Sequence, residues 1–235
     1  MISALRLPRV ERSVVARALP FSLYILCMAL RGEAGALLGA SLVQWLYPVQ
    51  VALVAAVLWH FRAEYVELRA APYSLENSPQ VRAYRAALAC ALGIAVFVAW
   101  IHLDVSPLSI PAPHVAPPAL ADGSIDWRWI VLRIMGAALV VPLMEELFWR
   151  SLLMRWLEAR DFLKVLPASV SWRSVLISSV VFGVEHNLWF AGIVAGIAYA
   201  WLYRQASLRA AIAAHALTNL LLGLWVVHTG QWQFW

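Results

Sequence analysis

Long apolar stretches alternate with short polar segments along the whole chain. Residues 14–30, 34–61, 86–103, 129–156, 174–188, 189–203 and 208–227 are apolar with few charges. A helix needs ~20 such residues to cross the hydrocarbon core of a bilayer. The pattern predicts an all-α polytopic membrane helix bundle of about seven transmembrane helices. The stretch 34–61 exceeds one span and is interrupted by Pro48. It is expected to give one net crossing, as a kinked helix or as a re-entrant piece followed by a span.

The polar segments fix an expected orientation. Residues before 14 carry Arg6, Arg9 and Arg12, with Arg17 just beyond. The segments 62–85 (Arg62, Glu64, Glu67, Arg69, Glu76, Arg82, Arg85), 157–173 (Arg160, Lys164, Arg173) and 204–209 (Arg204, Arg209) are also basic. By contrast, 104–127 has no Lys or Arg and holds Pro107, Pro111, Pro113, Pro117 and Pro118, as an extended outside loop would. The 188–189 turn and residues 228–235 also lack basic groups. Counting basic residues loop by loop places the N-terminus in the cytoplasm. The run 14–30 has the length of a signal-peptide core. However, Arg31 and Glu33 follow it directly and no small-residue cleavage site closes it, so it reads as an uncleaved first span.

Composition agrees and excludes other classes. The chain is 63% hydrophobic and 13% charged, with mean hydropathy +0.74, which leaves no room for a separate soluble domain. The net charge of +5 is explained by cytoplasmic loops, and no nucleic-acid partner is expected. Several of the 13 Trp fall near span ends, as an interfacial belt requires. Cys27 and Cys90 have neither disulfide nor metal spacing and read as small core residues. Residues 1–127 read as the first three spans and their outside loop, and 128–235 as the chemical core of one membrane domain.

Chemistry enters with Met144-Glu145-Glu146-Leu147-Phe148-Trp149-Arg150. Ionisable residues inside a span are costly and mark functional sites. Glu146 and Arg150, Phe182 and His186, and His215 and Asn219 are each four apart and so share a helix face. At ~1.5 Å per residue, Glu145 lies roughly 15 Å inside its span, His186 about 18 Å and Asn219 about 16 Å. Each alone has a plain reading: a snorkelling ion pair, or His and Asn bonded to neighbouring helices. Together, at one depth, they predict a polar pocket. His60, His102 and His114 have no such company, and Glu185 points about 100° away from His186 on a helix. Gly192 and Gly196 form a GxxxG pair for close helix packing, and Pro142 is expected to kink the span beside the acids.

Arg150 should keep Glu146 ionised and occupied, which leaves Glu145 the freer carboxylate. Glu145 with His186 is then expected to deprotonate a water for attack on a carbonyl, with His215 and Asn219 donating to the oxyanion. No Ser or Cys stands beside a base as a nucleophile, and no cofactor or metal is expected. Two alternatives remain open. Glu145, Glu146, His186 and His215 could hold zinc, although HExxH is absent; or the protein could be a non-catalytic immunity factor or proton-coupled carrier.

Glu145-Glu146-…-Arg150, Phe182-…-His186 and His215-…-Asn219, in this order on late spans, resemble the CAAX protease and bacteriocin-processing family. This family is also called the Abi or type II CAAX prenyl endopeptidase family. The resemblance covers about residues 128–227 and implies a helical intramembrane glutamate protease, multi-pass in the membrane, with its site opening to the cytoplasm. It implies water activation by Glu145 and His186, oxyanion donors in His215 and Asn219, and support from Glu146, Arg150 and Phe182. The substrate would be a membrane-associated protein or peptide. Tyr47-Pro48 and Glu64-Tyr65-Val66-Glu67-Leu68 look similar to bacterial members associated with exosortase-type sorting, which implies a bacterial inner membrane.

Overall fold

The computed structural model describes residues 9–38, 40–69, 78–111, 117–120 and 122–234. Arg6, Glu76, Pro113 and His114 lie outside the described residues. The described chain is helical, apart from turns and one isolated bridge between Ala119 and Ile125.

Helices α1 (Arg9–Leu38) and α2 (Ala40–His60) form an antiparallel hairpin. Gln50 donates to the Tyr24 carbonyl at 2.9 Å, and Arg12 pairs with Glu64 at 2.7 Å. Residues 34–38 therefore belong to the first helix, not to the second crossing. Arg31 and Glu33 do not end α1, and Pro48 sits inside α2. The corner was illegible because the residues around it are small and apolar. Two short 3-10 turns, Arg62–Glu64 and Val66–Leu68, follow. α3 (Pro79–His102) starts earlier than hydropathy indicated, so Arg82 and Arg85 are helical. Ser78 caps it by accepting from the Val81 amide, and Pro79 occupies the first turn, where its missing N–H costs nothing.

The fourth pass is built from α4 (Trp127–Met135), a π segment Gly136–Val140, α5 (Val141–Glu146), a second π segment Leu147–Leu153 and α6 (Met154–Trp156). Asp126 caps it, accepting from the amides of Arg128 and Trp129. Pro142 falls in the first turn of α5, directly after the first π segment. The irregularity expected at this proline thus takes the form of a wide turn just before it.

α7 (Trp172–Val184) is only 13 residues long, roughly 20 Å. It stops before His186, not at Leu188, and 185–188 form a turn. The cause is distant in sequence. The Ile110 amide donates to the Asn187 carbonyl at 2.8 Å, the Phe190 amide to the Leu108 carbonyl, and the Trp189 indole to the Pro107 carbonyl. The start of the proline-rich segment thus folds back and satisfies a turn that lies short of full membrane depth.

α8 (Trp189–Gln205) returns along α7. A Cβ added at Gly192 would lie 2.8 Å from Gly183 Cα, and one at Gly196 would lie 2.9 Å from Ser179 Cα. The GxxxG pair therefore does what spacing predicted. Gly192→Ala should lower stability by about 1–3 kcal/mol, because backbone must move; thermal unfolding in detergent measures it. α9 (Leu208–Thr229) is capped by Ser207 and ends at Gly230, whose φ of 72° is left-handed. Its Ala214 carbonyl would be 2.7 Å from a Cβ at Gly93, so α3 and α9 also meet at a glycine.

Among the described residues the helices group into seven stretches packed side by side. Glu11–Gly32, Pro79–His102 and Leu208–Thr229 are each long and apolar enough to cross a membrane. The outer surface exposes Leu26, Leu30, Leu139, Val184 and Leu224, as a lipid-facing wall does. Cys90 is exposed on that wall, and only Cys27 is partly buried, so neither is core.

One face gathers the basic segments around Glu67. Arg17 reaches its carboxylate at 2.7 Å and Arg155 at 2.9 Å, and the Ser151 hydroxyl donates to it. Arg17 also donates to Ser151 and to the carbonyls of Ser13 and Glu64, while Arg155 holds the carbonyls of Leu163 and Val165. Arg209 bonds the Leu68 carbonyl. The polar pattern predicts only a loop position for Glu67; in the structure it is the joint of α1, α6 and two loops. The opposite face carries residues 104–111, 117–120 and 122–126, the 185–188 turn and residues 229–234.

Candidate functional site

α5 presents Glu145 and Glu146 to α9, which runs antiparallel to it. Both acids are buried, with Glu146 fully enclosed. Glu146 Oε2 pairs with Arg150 Nε at 3.2 Å, as the four-residue spacing predicted. Its other oxygen accepts from His215 Nδ1 at 3.0 Å, which spacing did not predict. The Arg150 guanidinium also donates to the Gly196 carbonyl at 3.2 Å and lies over the Phe182 ring at 4.7 Å. Gly196 thus serves packing and leaves a carbonyl open to the arginine.

A carboxylate at Nδ1 orients His215. With that nitrogen donating to Glu146, Nε2 faces Glu145 Oε2 at 3.8 Å. The imidazole stacks on Tyr199, with centroids 4.7 Å apart and planes 16° apart, and meets the edge of Phe182 at 6.2 Å. The Tyr199 hydroxyl donates to Thr218 Oγ1 at 2.8 Å, and Thr218 in turn reaches the Gly93 carbonyl on α3. Neither Tyr199 nor Thr218 stood out in the sequence; a tyrosine in an apolar helix three residues after Gly196 was the only signal. Tyr199→Phe keeps the stacked ring and removes one hydroxyl. It should cost about 0.5–1.5 kcal/mol of stability while Thr218 keeps its bond to Gly93, a difference measurable in thermal unfolding.

His186 stands in the 185–188 turn. Its Nδ1 lies 2.8 Å from the Phe182 carbonyl. A carbonyl only accepts, so Nδ1 carries the proton and the neutral ring keeps a lone pair on Nε2. Trp100 of α3 and Phe182 flank the ring at 5.3 and 4.8 Å. Asn219 uses one amide hydrogen on the Ala137 carbonyl of the first π segment at 2.8 Å; its second remains for another acceptor.

Glu145, His186, His215, Asn219 and Phe182 line one cavity of about 190 Å³. Glu145 Oε2 is buried there without a hydrogen-bond partner. Glu146 and Arg150 do not line the cavity; they stand behind His215. Glu185 and His60 are exposed and outside it, and His102 bonds its own helix at the Val98 carbonyl. Among the described residues, no group of three or more His, Cys, Asp or Glu side chains has metal-holding geometry.

Residues 127–221 match the sequence profile of the family Type II CAAX prenyl endopeptidase Rce1-like. Over this segment the chain is similar to that family. No curated protein and no solved structure matches the chain. The Rce1-like segment begins with α4 and contains all seven residues singled out by spacing. It implies a peptidase and a peptide substrate in a membrane setting. α1, α2 and α3 lie outside the segment, yet α3 supplies Trp100 beside His186 and Gly93 beneath Thr218.

Proposed function

We propose that the chain is a glutamate-type intramembrane endopeptidase, acting without a metal, that cleaves a peptide bond in a membrane-associated protein or peptide. What carries the reading is the meeting of Glu145, His186, His215 and Asn219 around one cavity within the family segment. Residues 128–235 form the catalytic core and 1–127 its support. The membrane is a bacterial inner membrane, with the N-terminus and the basic face on the cytoplasmic side.

The geometry supports a division of labour. Water between Glu145 and His186 gives one proton to the Glu145 carboxylate, which has an unoccupied oxygen. His186 Nε2, left as an acceptor by the bond at Nδ1, orients that water. The oxygen attacks the peptide carbonyl carbon, and the oxyanion accepts from the free Asn219 amide hydrogen and from His215 Nε2–H. Glu146 holds that imidazole and balances its charge when both nitrogens carry protons. The C–N bond then breaks as Glu145 passes its proton to the leaving amine, yielding a carboxylic acid and an amine, which become carboxylate and ammonium once the acid gives up its proton. Arg150 and Phe182 support Glu146 and the histidines.

The test compares the membrane proteome of cells carrying the wild-type chain, Glu145→Gln or Asn219→Ala. The reading requires one substrate that stops being trimmed in both variants, and cleavage that survives exhaustive chelation. Activity lost on chelation and restored by zinc would favour the metalloprotease. Full tolerance of both substitutions would favour a carrier or immunity protein.

A further inference from the structure

A second cavity, of about 330 Å³, lies on the other side of the fourth pass from the candidate active site. Val141 and Glu145 line the first cavity, whereas Leu139, Val140 and Leu143 line the second. Its facing wall is Ala55 and Leu58 on α2. Leu139 is 61% exposed, so the groove opens sideways to the lipid around the bundle. Tyr65 and Leu68, from the short 3-10 turns, close it at the basic face. Tyr65 offers the groove its ring, because its hydroxyl donates to the Ala16 carbonyl at 2.9 Å.

Arg62 and Arg69 line the groove at that same end, and both are exposed. Arg12, Arg17, Arg155 and Lys164 on this face each pair with a carboxylate. Among the described residues, no carboxylate pairs with Arg62 or Arg69. Each uses one nitrogen on a backbone carbonyl, Arg62 on that of Trp59 and Arg69 on that of Ala63. A guanidinium carries five N–H donors in a planar fork. Most of each fork is therefore left for an anion, and phosphate is one it grips bidentately. Arg62 also lies over the Trp59 ring at 4.5 Å, and Trp59 is 69% exposed. A tryptophan so placed marks the boundary between bilayer and water. Ala55 stands seven residues before Arg62, so the apolar wall runs roughly 10 Å into the bilayer beneath the charges.

We infer that this groove binds an anionic phospholipid of the leaflet on the basic side, with its phosphate on Arg62 and Arg69 and one acyl chain between α2 and the fourth pass. The charges select the headgroup, since basic pockets between spans hold lipids of net negative charge. The apolar wall selects a lipid over a soluble anion, because an acyl chain fills the groove and a free phosphate does not. The bound chain packs against Leu139 and Val140, in the π segment Gly136–Val140. The Ala137 carbonyl of that segment holds Asn219, so the lipid braces the backbone on which this side chain is hung. Lipid binding at this groove does not depend on the hydrolytic reading.

The experiment uses the full chain, stripped of lipid in detergent and supplied with phosphatidylglycerol or phosphatidylcholine. Native mass spectrometry reads the lipid retained, and thermal unfolding reads its effect. Phosphatidylglycerol should be retained about tenfold better than phosphatidylcholine and should raise the unfolding temperature more. Arg62→Gln combined with Arg69→Gln should abolish that preference. Arg160→Gln should keep it, because Arg160 also lies over a tryptophan, Trp156 at 4.6 Å, but lines neither cavity. Leu139→Trp, which fills the groove from an exposed position, should lower phosphatidylglycerol retention with both arginines in place. Equal retention of the two lipids, as in a groove kept for an apolar peptide segment, overturns the inference. So does an Arg160→Gln loss as large as that of the double variant, which would mean general surface charge. Full retention in Leu139→Trp overturns it as well, since the chain would then lie elsewhere. Should the double variant fail to fold, Leu139→Trp and the comparison of the two lipids still decide.

Discussion

Glu145→Gln is expected to slow peptide cleavage by about 10²–10⁴-fold while the protein stays folded, the loss typical of a missing general base. Gln has nearly the volume of Glu, so the buried α5–α9 contact is kept. Glu145 makes no ion pair with Arg150 that the change would break; its Oε2 lies 3.8 Å from His215 Nε2. What disappears is the carboxylate that takes the water's proton. Glu146→Gln should behave differently, although the residues are adjacent. Glu146 holds both the fully buried Arg150 and His215 Nδ1. Neutralising it leaves an uncompensated buried guanidinium, with a cost of about 3–5 kcal/mol. Cleavage assays together with thermal unfolding in detergent separate the two: Glu145→Gln loses activity alone, and Glu146→Gln loses activity and stability. Equal unfolding temperatures for both variants would contradict the assignment of roles.

The division between these two glutamates was half legible in the sequence. The i,i+4 spacing of Glu146 and Arg150 is a local fact, and the structure keeps it. The bond from Glu146 to His215 joins residues 69 apart, and no periodicity encodes it. The same holds at α7. Hydropathy carried that span to Leu188, but the helix yields at Val184 because backbone groups of 107–110 reach across to 187–190. His186 therefore reaches the cavity from a turn, although its four-residue spacing from Phe182 predicts a shared helix face. Apolar passes and basic faces were legible because both follow from solvation, which acts on composition. The corner between α1 and α2, the Tyr199–Thr218–Gly93 chain and the role of Glu67 were not, because each depends on which helix lies next to which.

Glu67→Ala is expected to destabilise the fold by about 3–5 kcal/mol, the cost of removing one partner from a buried charged cluster. The carboxylate is only 15% exposed and lies between Arg17 and Arg155, whose side chains are 0% and 5% exposed. Removing it leaves two guanidiniums without a carboxylate between them, held by Ser151, backbone carbonyls and the rings of Tyr65 and Phe162. Acid should reproduce part of the effect. Burial pushes the Glu67 carboxyl up, but the Arg17 guanidinium and the Ser151 hydroxyl outweigh it and hold it below the usual carboxylate range of about 4.5. A group lowered by folding stabilises the native state above its unfolded value and loses that contribution as pH falls through its folded value. The wild-type unfolding temperature should therefore fall as pH drops below about 4.5. Glu67→Gln, which has no carboxyl to protonate, should start lower and fall less steeply over the same interval. Because Glu67 ties α1 to α6 and the 162–165 turn, its loss should loosen the basic face first. Hydrogen exchange should then rise at 62–68 and 162–165 before it rises at the amides around Glu145 and His215. Parallel acid profiles for wild type and Glu67→Gln would show that the cluster does not hold this face together.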